Sequence, residues 1–152
     1  MTNKKLIAVG SNAPDFALLD QDGNQVTLAS WRGRQPVLLI FYPGDETMGC
    51  TRQLCAIRDD WAEFQHHGVM VYGVNHADAE SHRRFIQHHH LTVPLLIDTE
   101  MKVAEKYEAT RSYLGRRTIK RSVILIDKHG IIRYLKRGLP PDNEILEAVK
   151  QL

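Results

Sequence analysis

Residues Val37 to Cys55 read VLLIFYPGDETMGCTRQLC, and their pattern indicates the class of fold. It opens with six consecutive apolar residues, which is typical of a strand buried on both faces. Pro43 ends that run, and the amphipathic segment that follows has the apolar spacing of one helix face, with Leu54, Ile57, Trp61 and Phe64. A second apolar run at residues 69–74 predicts a parallel strand, so the three elements form a βαβ unit.

The same alternation of apolar runs and amphipathic segments continues along the chain and predicts an α/β fold with a mixed sheet. One hairpin is indicated at residues 16–28 and another at residues 122–135, each with Gly in its turn. A short strand is predicted after Pro94, and further helices are predicted at residues 79–90, 101–107 and 144–152. Because no repeat or flexible linker interrupts this pattern, we expect residues 1–152 to form a single domain.

The amino-acid composition limits the classes of protein to which this chain can belong. The chain has 152 residues, of which 43% are hydrophobic and 25% charged, the usual balance of a folded globular domain. A chain of this length buries about two thirds of its unfolded surface, so it needs neither disulfides nor a metal to hold a core. Its two cysteines exclude a disulfide-rich secreted scaffold and a cysteine-rich zinc domain.

Hydropathy and charge exclude two further classes of partner. No apolar run reaches the roughly 20 residues that span a bilayer, and the N-terminal run is too short for a secretory signal, so a cytoplasmic location without membrane association is predicted. There are 20 Lys and Arg residues against 18 Asp and Glu residues. The only dense basic stretch runs from Arg111 to Arg121, and we interpret it as a solvated loop. No nucleic-acid partner is therefore predicted.

The first cysteine, Cys50, lies at the start of the predicted helix. Thr47 stands at the expected N-cap position, which places Cys50 in the first turn. Unpaired backbone N–H groups and the positive end of the helix dipole favour a thiolate there, so the position predicts a nucleophile. The Thr47 hydroxyl is placed to hydrogen-bond whatever the sulfur attacks. The alternative is a buried cysteine that packs as a small hydrophobic side chain.

The second cysteine, Cys55, follows five residues later. An intact helix separates two such Cα atoms by about 8.6 Å. A disulfide needs less than about 7 Å. Either the two cysteines are unrelated and Cys55 packs beside Leu54, or the first turns of the helix unwind after oxidation so that the two thiols meet.

A metal site is the other possible use of these cysteines. Their C-x4-C spacing differs from the C-x2-C of common zinc sites, and adjacent helical histidines point about 100° apart. We interpret the histidines at residues 66–67 and 88–90 as solvated helix ends, and His76 and His82 as hydrogen-bonded surface histidines. Neither a metal nor an organic cofactor is predicted.

Pro43, Thr47 and Cys50 together stand at the spacing P-x3-T-x2-C, which resembles the active-site signature of the peroxiredoxins. With Cys55, the C-x4-C pair resembles the bacterioferritin-comigratory, or peroxiredoxin Q, subfamily. Met48 departs from the proline usual before Gly-Cys, and Asn75 stands where small residues are common. The likeness extends to residues 13–28, 73–85, 94–98 and 121–127.

This resemblance implies a monomer with a thioredoxin-like fold and an added N-terminal β-hairpin. It implies that Cys50 is the peroxidatic thiolate, which a peroxide oxidises to a sulfenic acid, and that Cys55 resolves it as an intramolecular disulfide. Thr47 and Arg121 are implied to orient the peroxide, beside the Pro43 of the signature. Hydrogen peroxide and organic hydroperoxides are the implied substrates, and thioredoxin, or else glutaredoxin, is the implied reductant.

Two other functions share parts of this pattern. A thioredoxin-like disulfide oxidoreductase is disfavoured because such enzymes carry C-x2-C on one helix turn. A peroxide-responsive redox sensor, acting through local unfolding of the helix that bears the cysteines, uses the same residues as a peroxidase. Only sustained turnover separates the sensor from the enzyme.

Overall fold

A computed structural model of the protein describes residues 7–152, and these fold around a mixed β-sheet. The helices are α1 (Met48–Asp59), α2 (Trp61–His66), α3 (Ala79–His89), α4 (Lys102–Lys106) and α5 (Asp142–Lys150). The strands are β1 (Ala17–Asp20), β2 (Gln25–Thr27), β3 (Val37–Phe41), β4 (Met70–Asn75), β5 (Leu95–Ile97), β6 (Thr110–Tyr113), β7 (Arg116–Ile119), β8 (Ser122–Ile126) and β9 (Ile132–Arg137).

Seven of the strands in the described residues form the main sheet, in the order β2-β1-β5-β4-β3-β8-β9. β4 runs parallel to both β3 and β5, as the βαβ unit requires. The other neighbouring strands pair antiparallel. The predicted α/β class, the mixed sheet and the N-terminal hairpin β1–β2 are confirmed.

The central strand β3 separates two hydrophobic clusters. Its residues Val37, Leu39 and Phe41 belong to one cluster, and Leu38 and Ile40 belong to the other. All five are essentially inaccessible to water, because helices cover both faces of the sheet. The buried side of α1 packs into the cluster of Leu38 and Ile40, so this face of the sheet carries both cysteines.

The helix predicted to extend to Phe64 is interrupted at Asp60. α1 ends at Asp59 and α2 begins at Trp61, with Asp60 between them at φ −100° and ψ 14°. The Asp60 carbonyl accepts the first hydrogen bonds of α2, and aspartate favours helix ends over helix interiors. Phe64 stays fully buried, whereas Trp61 is only half-buried.

The basic stretch interpreted as a loop is an antiparallel hairpin, β6–β7, so that prediction was wrong. Tyr113 pairs with Arg116, which leaves the two-residue turn Leu114-Gly115. Both turn residues have positive φ, 50° and 76°, the conformation of the favoured two-residue hairpin turns. Most side chains of the hairpin are exposed, so no apolar alternation marked these strands in the sequence.

The pairing of β8 with β3 brings a distant basic residue to the cysteine helix. The two strands are antiparallel, with Ser122 opposite Phe41. The residue before β8, Arg121, therefore lies at the carboxyl end of β3, where the loop to α1 begins. None of the helices in the described part of the chain has the length and apolar character needed to cross a bilayer.

Candidate active site

Cys50 is the third residue of α1 and is completely buried. It packs in the cluster that includes Leu54 and Ile57 from the same helix. The first α-helical hydrogen bond runs from the Thr51 N–H to the Thr47 carbonyl, at 2.8 Å. The N–H groups of the three preceding residues thus have no acceptor within the helix, and they surround the thiol with positive partial charge. The structure places Cys50 in the first turn, as the sequence predicts.

Thr47 occupies the N-cap position, at φ −76° and ψ 152°, but its side chain does not cap the helix. Its hydroxyl instead donates to the carbonyl oxygen of Gly44, 3.3 Å away. Thr47 is exposed, and Pro43, two residues after the end of β3, is half-buried. The first turn of α1 also contains no acidic residue. The start of this helix consequently lacks two of the local interactions that usually stabilise a helix N-terminus.

Arg121 lies against the first two turns of α1. Its Nη1 donates to the Oε1 of Gln53 at 3.3 Å. On the other side its Nη2 is 3.1 Å from the position that a Cβ would take at Gly49. Gly49 and Gln53 flank Cys50 in the sequence, so the guanidinium is held beside the turn that carries the thiol.

Gln53 is a site residue that sequence reasoning missed. It is 8% exposed, and its Nε2 has no hydrogen-bond partner within residues 7–152. The available signal was its spacing, because a residue three positions after Cys50 lies on the same side of a helix. Its carbonyl orients Arg121, and its free amide donor faces the buried surroundings of α1.

Substitution of Gly49 by Ala is expected to lower kcat/KM for peroxide about tenfold while the protein becomes no less stable. The new Cβ displaces the Arg121 guanidinium by a few tenths of an ångström, and reactions are sensitive to such shifts. Glycine to alanine in a helix normally adds about 0.4–1 kcal/mol of stability. Peroxide kinetics and thermal unfolding would be measured together.

Thr51→Ala is the matched control, since it raises helix preference two residues further along without adding an atom beside Arg121. We expect its kcat/KM to stay within about twofold of the wild type. Equal loss of activity in Gly49→Ala and Thr51→Ala would contradict the role given to Arg121.

Cys55 lies on the same uninterrupted helix and is half-buried. It packs at the edge of the cluster that contains Cys50. Five residues of α-helix rise about 7.5 Å, and both thiols are unpaired. The structure therefore describes the reduced protein, in which a disulfide between the two requires α1 to open.

His82, interpreted as a surface histidine, is completely buried, so that prediction was wrong. Its Nδ1 lies 2.7 Å from an Asp45 carboxylate oxygen and its Nε2 lies 3.0 Å from the Leu96 carbonyl. The signal for burial was present, because His82 stands three residues before Phe85 on the apolar face of α3. Sequence reasoning did not identify Asp45 as its partner. His76 is exposed, as predicted.

The histidines at the end of α3 are also more than a solvated helix end. His88 Nδ1 is 2.6 Å and His89 Nε2 is 2.9 Å from the two carboxylate oxygens of Glu46. Glu46 immediately precedes Thr47 and has a positive φ of 63°. These contacts join residues that are 42 or more positions apart in the sequence. Patterns of neighbouring residues therefore do not predict them.

Comparison with known proteins places this geometry in a family. The sequence profile of the AhpC/TSA family matches residues 9–135. Chloroplastic peroxiredoxin Q of Oryza sativa subsp. japonica is 38% identical over 147 residues, which cover 96% of this chain and 67% of that protein. A putative peroxiredoxin bcp of Coxiella burnetii is 33% identical, and the match covers 96% of this chain and 99% of that protein.

Solved structures show the same fold. The crystal structure of peroxidoxin BcpB from Mycobacterium tuberculosis superposes with a TM-score of 0.88 at 26% identity, covering 96% of this chain and 98% of that one. PrxQ of Xylella fastidiosa superposes with a TM-score of 0.89 at 22% identity, covering 97% and 98% of the two chains. The expected thioredoxin-like fold is confirmed.

The thioredoxin-like fold and these relatives together define the chain as a thiol peroxidase. The chain belongs to the AhpC/TSA family, and its relatives are the peroxiredoxins of the Q, or bcp, branch. The resemblance read from the Pro43, Thr47 and Cys50 signature is thereby confirmed at the level of family. The relatives favour an enzyme over the redox-sensor alternative, and the family implies a peroxide substrate with a thiol reductant.

Proposed function

We propose that the chain reduces hydrogen peroxide and organic hydroperoxides, with Cys50 as the peroxidatic and Cys55 as the resolving cysteine. The observation that carries this proposal is the position of Arg121 beside the first turn of α1. A fixed cation there stabilises both the thiolate and the negative charge that develops on the leaving oxygen. Thr47 supplies an exposed hydroxyl at the helix start, and Pro43 turns the chain out of β3 toward it.

The chemistry takes place in two steps. The Cys50 thiolate attacks the terminal oxygen of the peroxide, so an S–O bond forms as the O–O bond breaks. The leaving oxygen takes up a proton and departs as alcohol or water, and Cys50 becomes a sulfenic acid. The Cys55 thiol then attacks the sulfenic sulfur, a disulfide forms and water leaves. The two thiols supply the two electrons that reduce the peroxide, so these steps need neither a metal nor an organic cofactor.

The second step requires the first turns of α1 to open. Two local features favour opening: the helix has no side-chain N-cap, and Gly49 and Thr51 are weak helix formers. A side-chain cap stabilises a helix by about 0.5–2 kcal/mol. The first turn of α1 lacks this contribution and is therefore easier to open. Opposing this, Cys50 must leave a fully buried position. The helix is thus ordered in the reduced enzyme and can open once the sulfenic acid has formed.

Regeneration of the thiols is assigned to an external dithiol, because the sequence contains no third cysteine. We assign this role to thioredoxin, with glutaredoxin as the alternative. The bacterioferritin comigratory protein of Xanthomonas campestris, which shares this fold, has alkyl peroxide reduction activity, and this supports organic hydroperoxides as substrates. We further assign residues 1–152 to a single monomeric domain acting in the cytoplasm, whereas the rice relative is chloroplastic.

The test is an intact-mass measurement after the reduced protein receives one equivalent of hydrogen peroxide. We expect the wild type to lose two hydrogens as the Cys50–Cys55 disulfide forms. Cys55→Ser is expected to gain oxygen instead, because the sulfenic acid on Cys50 has no intramolecular partner. An unchanged wild-type mass would refute the proposal. A disulfide-linked dimer would show that Cys55 does not resolve Cys50 within one chain.

A further inference from the structure

Asp45, in the loop that leads from β3 to Cys50, is the centre of a buried hydrogen-bond network. Its side chain is 4% exposed. One carboxylate oxygen accepts from the Tyr42 hydroxyl at 2.7 Å and from the Asn75 Nδ2 at 3.1 Å. The other accepts from the Ser81 hydroxyl at 2.7 Å and from the His82 Nδ1 at 2.7 Å.

These donors come from different elements of the fold. Tyr42 directly follows β3, Asn75 ends β4, and Ser81 and His82 lie near the start of α3. His82 also reaches the Leu96 carbonyl in β5. One carboxylate therefore ties the loop before Cys50 to the carboxyl ends of two parallel strands and to the helix packed beside them.

The bond between Asp45 and His82 is charge-assisted. Both ring nitrogens of His82 face acceptor oxygens, and the Nδ1 contact is made to a carboxylate, the stronger kind of acceptor. Burial by itself raises the pKa of Asp45, but the hydrogen bond and charge of His82, with the Tyr42 and Ser81 hydroxyls, outweigh burial and lower it. The resulting stabilisation is present above the ordinary aspartate pKa of about 4 and is lost as pH falls through the lower folded value.

Glu46, the next residue, offers a direct comparison. It also pairs with α3, through His88 and His89, but these side chains are between 31% and 61% exposed. Exposed ion pairs contribute little, whereas removing one partner of a buried pair leaves an uncompensated charge. The loop is therefore held at Asp45, and the contacts of Glu46 add only a small amount.

We propose that Asp45, held by His82, is a positioning residue for the peroxidase reaction. It fixes the loop from Pro43 to Thr47 against α3, so that Thr47 stays at the start of α1, the helix against which Arg121 lies. This inference rests on the proposed function, since it concerns the approach of peroxide to Cys50.

The first experiment compares two neighbouring carboxylates. Asp45→Asn places an amide donor against the donors of Ser81 and His82, and we expect kcat/KM for hydrogen peroxide to fall about 100-fold, the loss that a misplacement of about 1 Å produces. Glu46→Gln is the matched control and is expected to change it less than threefold. Amide hydrogen exchange at residues 44–51 should become faster in Asp45→Asn and stay near wild type in Glu46→Gln.

The second experiment separates positioning from simple stability at His82. His82→Asn keeps a donor near the Nδ1 position, aimed at Asp45, and His82→Gln keeps one near the Nε2 position, aimed at Leu96. Each variant loses one of the two contacts of the His82 ring. We expect His82→Asn to retain at least about tenfold more kcat/KM than His82→Gln and to keep slower exchange at residues 44–51. If Asp45→Asn does not fold, this pair carries the test.

The outcomes distinguish this inference from the function on which it rests. Equal activities and equal exchange in the two His82 variants would overturn the positioning role, even in an active peroxidase. So would a loss in Glu46→Gln as large as that in Asp45→Asn. A wild type that forms no disulfide with peroxide would refute the proposed function, while hydrogen exchange would still report whether Asp45 holds the loop.

Discussion

Cys50→Ser is expected to lower the rate of peroxide reduction by about four orders of magnitude or more. A serine hydroxyl is a far weaker nucleophile than a thiolate, and removal of an enzyme's nucleophile commonly costs more than 10⁴-fold. The side chain is nearly isosteric, so the buried packing around Leu54 is preserved. Stopped-flow measurement of peroxide consumption under single-turnover conditions checks the rate, and thermal unfolding checks the fold.

Cys55→Ser is the control for that experiment. Cys55 is half-buried on the same helix, so the substitution makes the same change of atom five residues away. We expect its first turnover with peroxide to proceed at a rate near that of the wild type, while recycling by thioredoxin fails. A Cys50→Ser variant that keeps even a few per cent of wild-type activity would assign the nucleophile elsewhere.

Arg121→Ala is expected to reduce kcat/KM for peroxide about 1000-fold. The guanidinium presents its charge and donors at the first turn of α1, where negative charge develops, and the loss of one such donor costs about 10²–10³-fold in other enzymes. Arg121→Lys keeps the charge but not the planar fork that binds Gln53, so we expect a smaller loss of about tenfold. The measurement is kcat/KM at several pH values, with intact mass to follow oxidation of Cys50.

Arg137→Ala provides a matched control on the neighbouring strand. Arg137 is half-buried and donates to the Ser122 hydroxyl at 2.7 Å and to the Tyr107 carbonyl at 3.2 Å. Its loss is expected to weaken the fold and to leave kcat/KM within about threefold of wild type. If the two alanine variants lose activity to the same extent, Arg121 acts through stability and not through the reacting oxygen.

The main architecture was predictable because it depends on short-range patterns. The apolar run of β3 and the helical spacing of Leu54 and Ile57 each extend over about ten residues or fewer. Gly and Asp in the turns indicated both hairpins of the main sheet in the same way. The break at Asp60 was missed because the apolar spacing continues across it into α2. The β6–β7 hairpin was missed because its charged, exposed side chains carry no apolar alternation.

The site was predictable in part. The place of Cys50 in a first helix turn follows from the Pro43–Thr47 segment that precedes it. Burial of His82 was misjudged because a polar residue on an apolar helix face looks unfavourable until its partner is known. That partner, Asp45, is 37 residues away in the sequence.

Local sequence patterns were enough to predict the βαβ unit, the helix that carries both cysteines and the spacing that keeps them apart while that helix is intact. These are properties of backbone periodicity and helix geometry, which act between near neighbours. The contact of Arg121 with Gln53, across 68 residues, and the pairing of His82 with Asp45 arise from the packing of distant elements. Strand order and helix packing bring such groups together, and burial then makes their charges and hydrogen bonds strong.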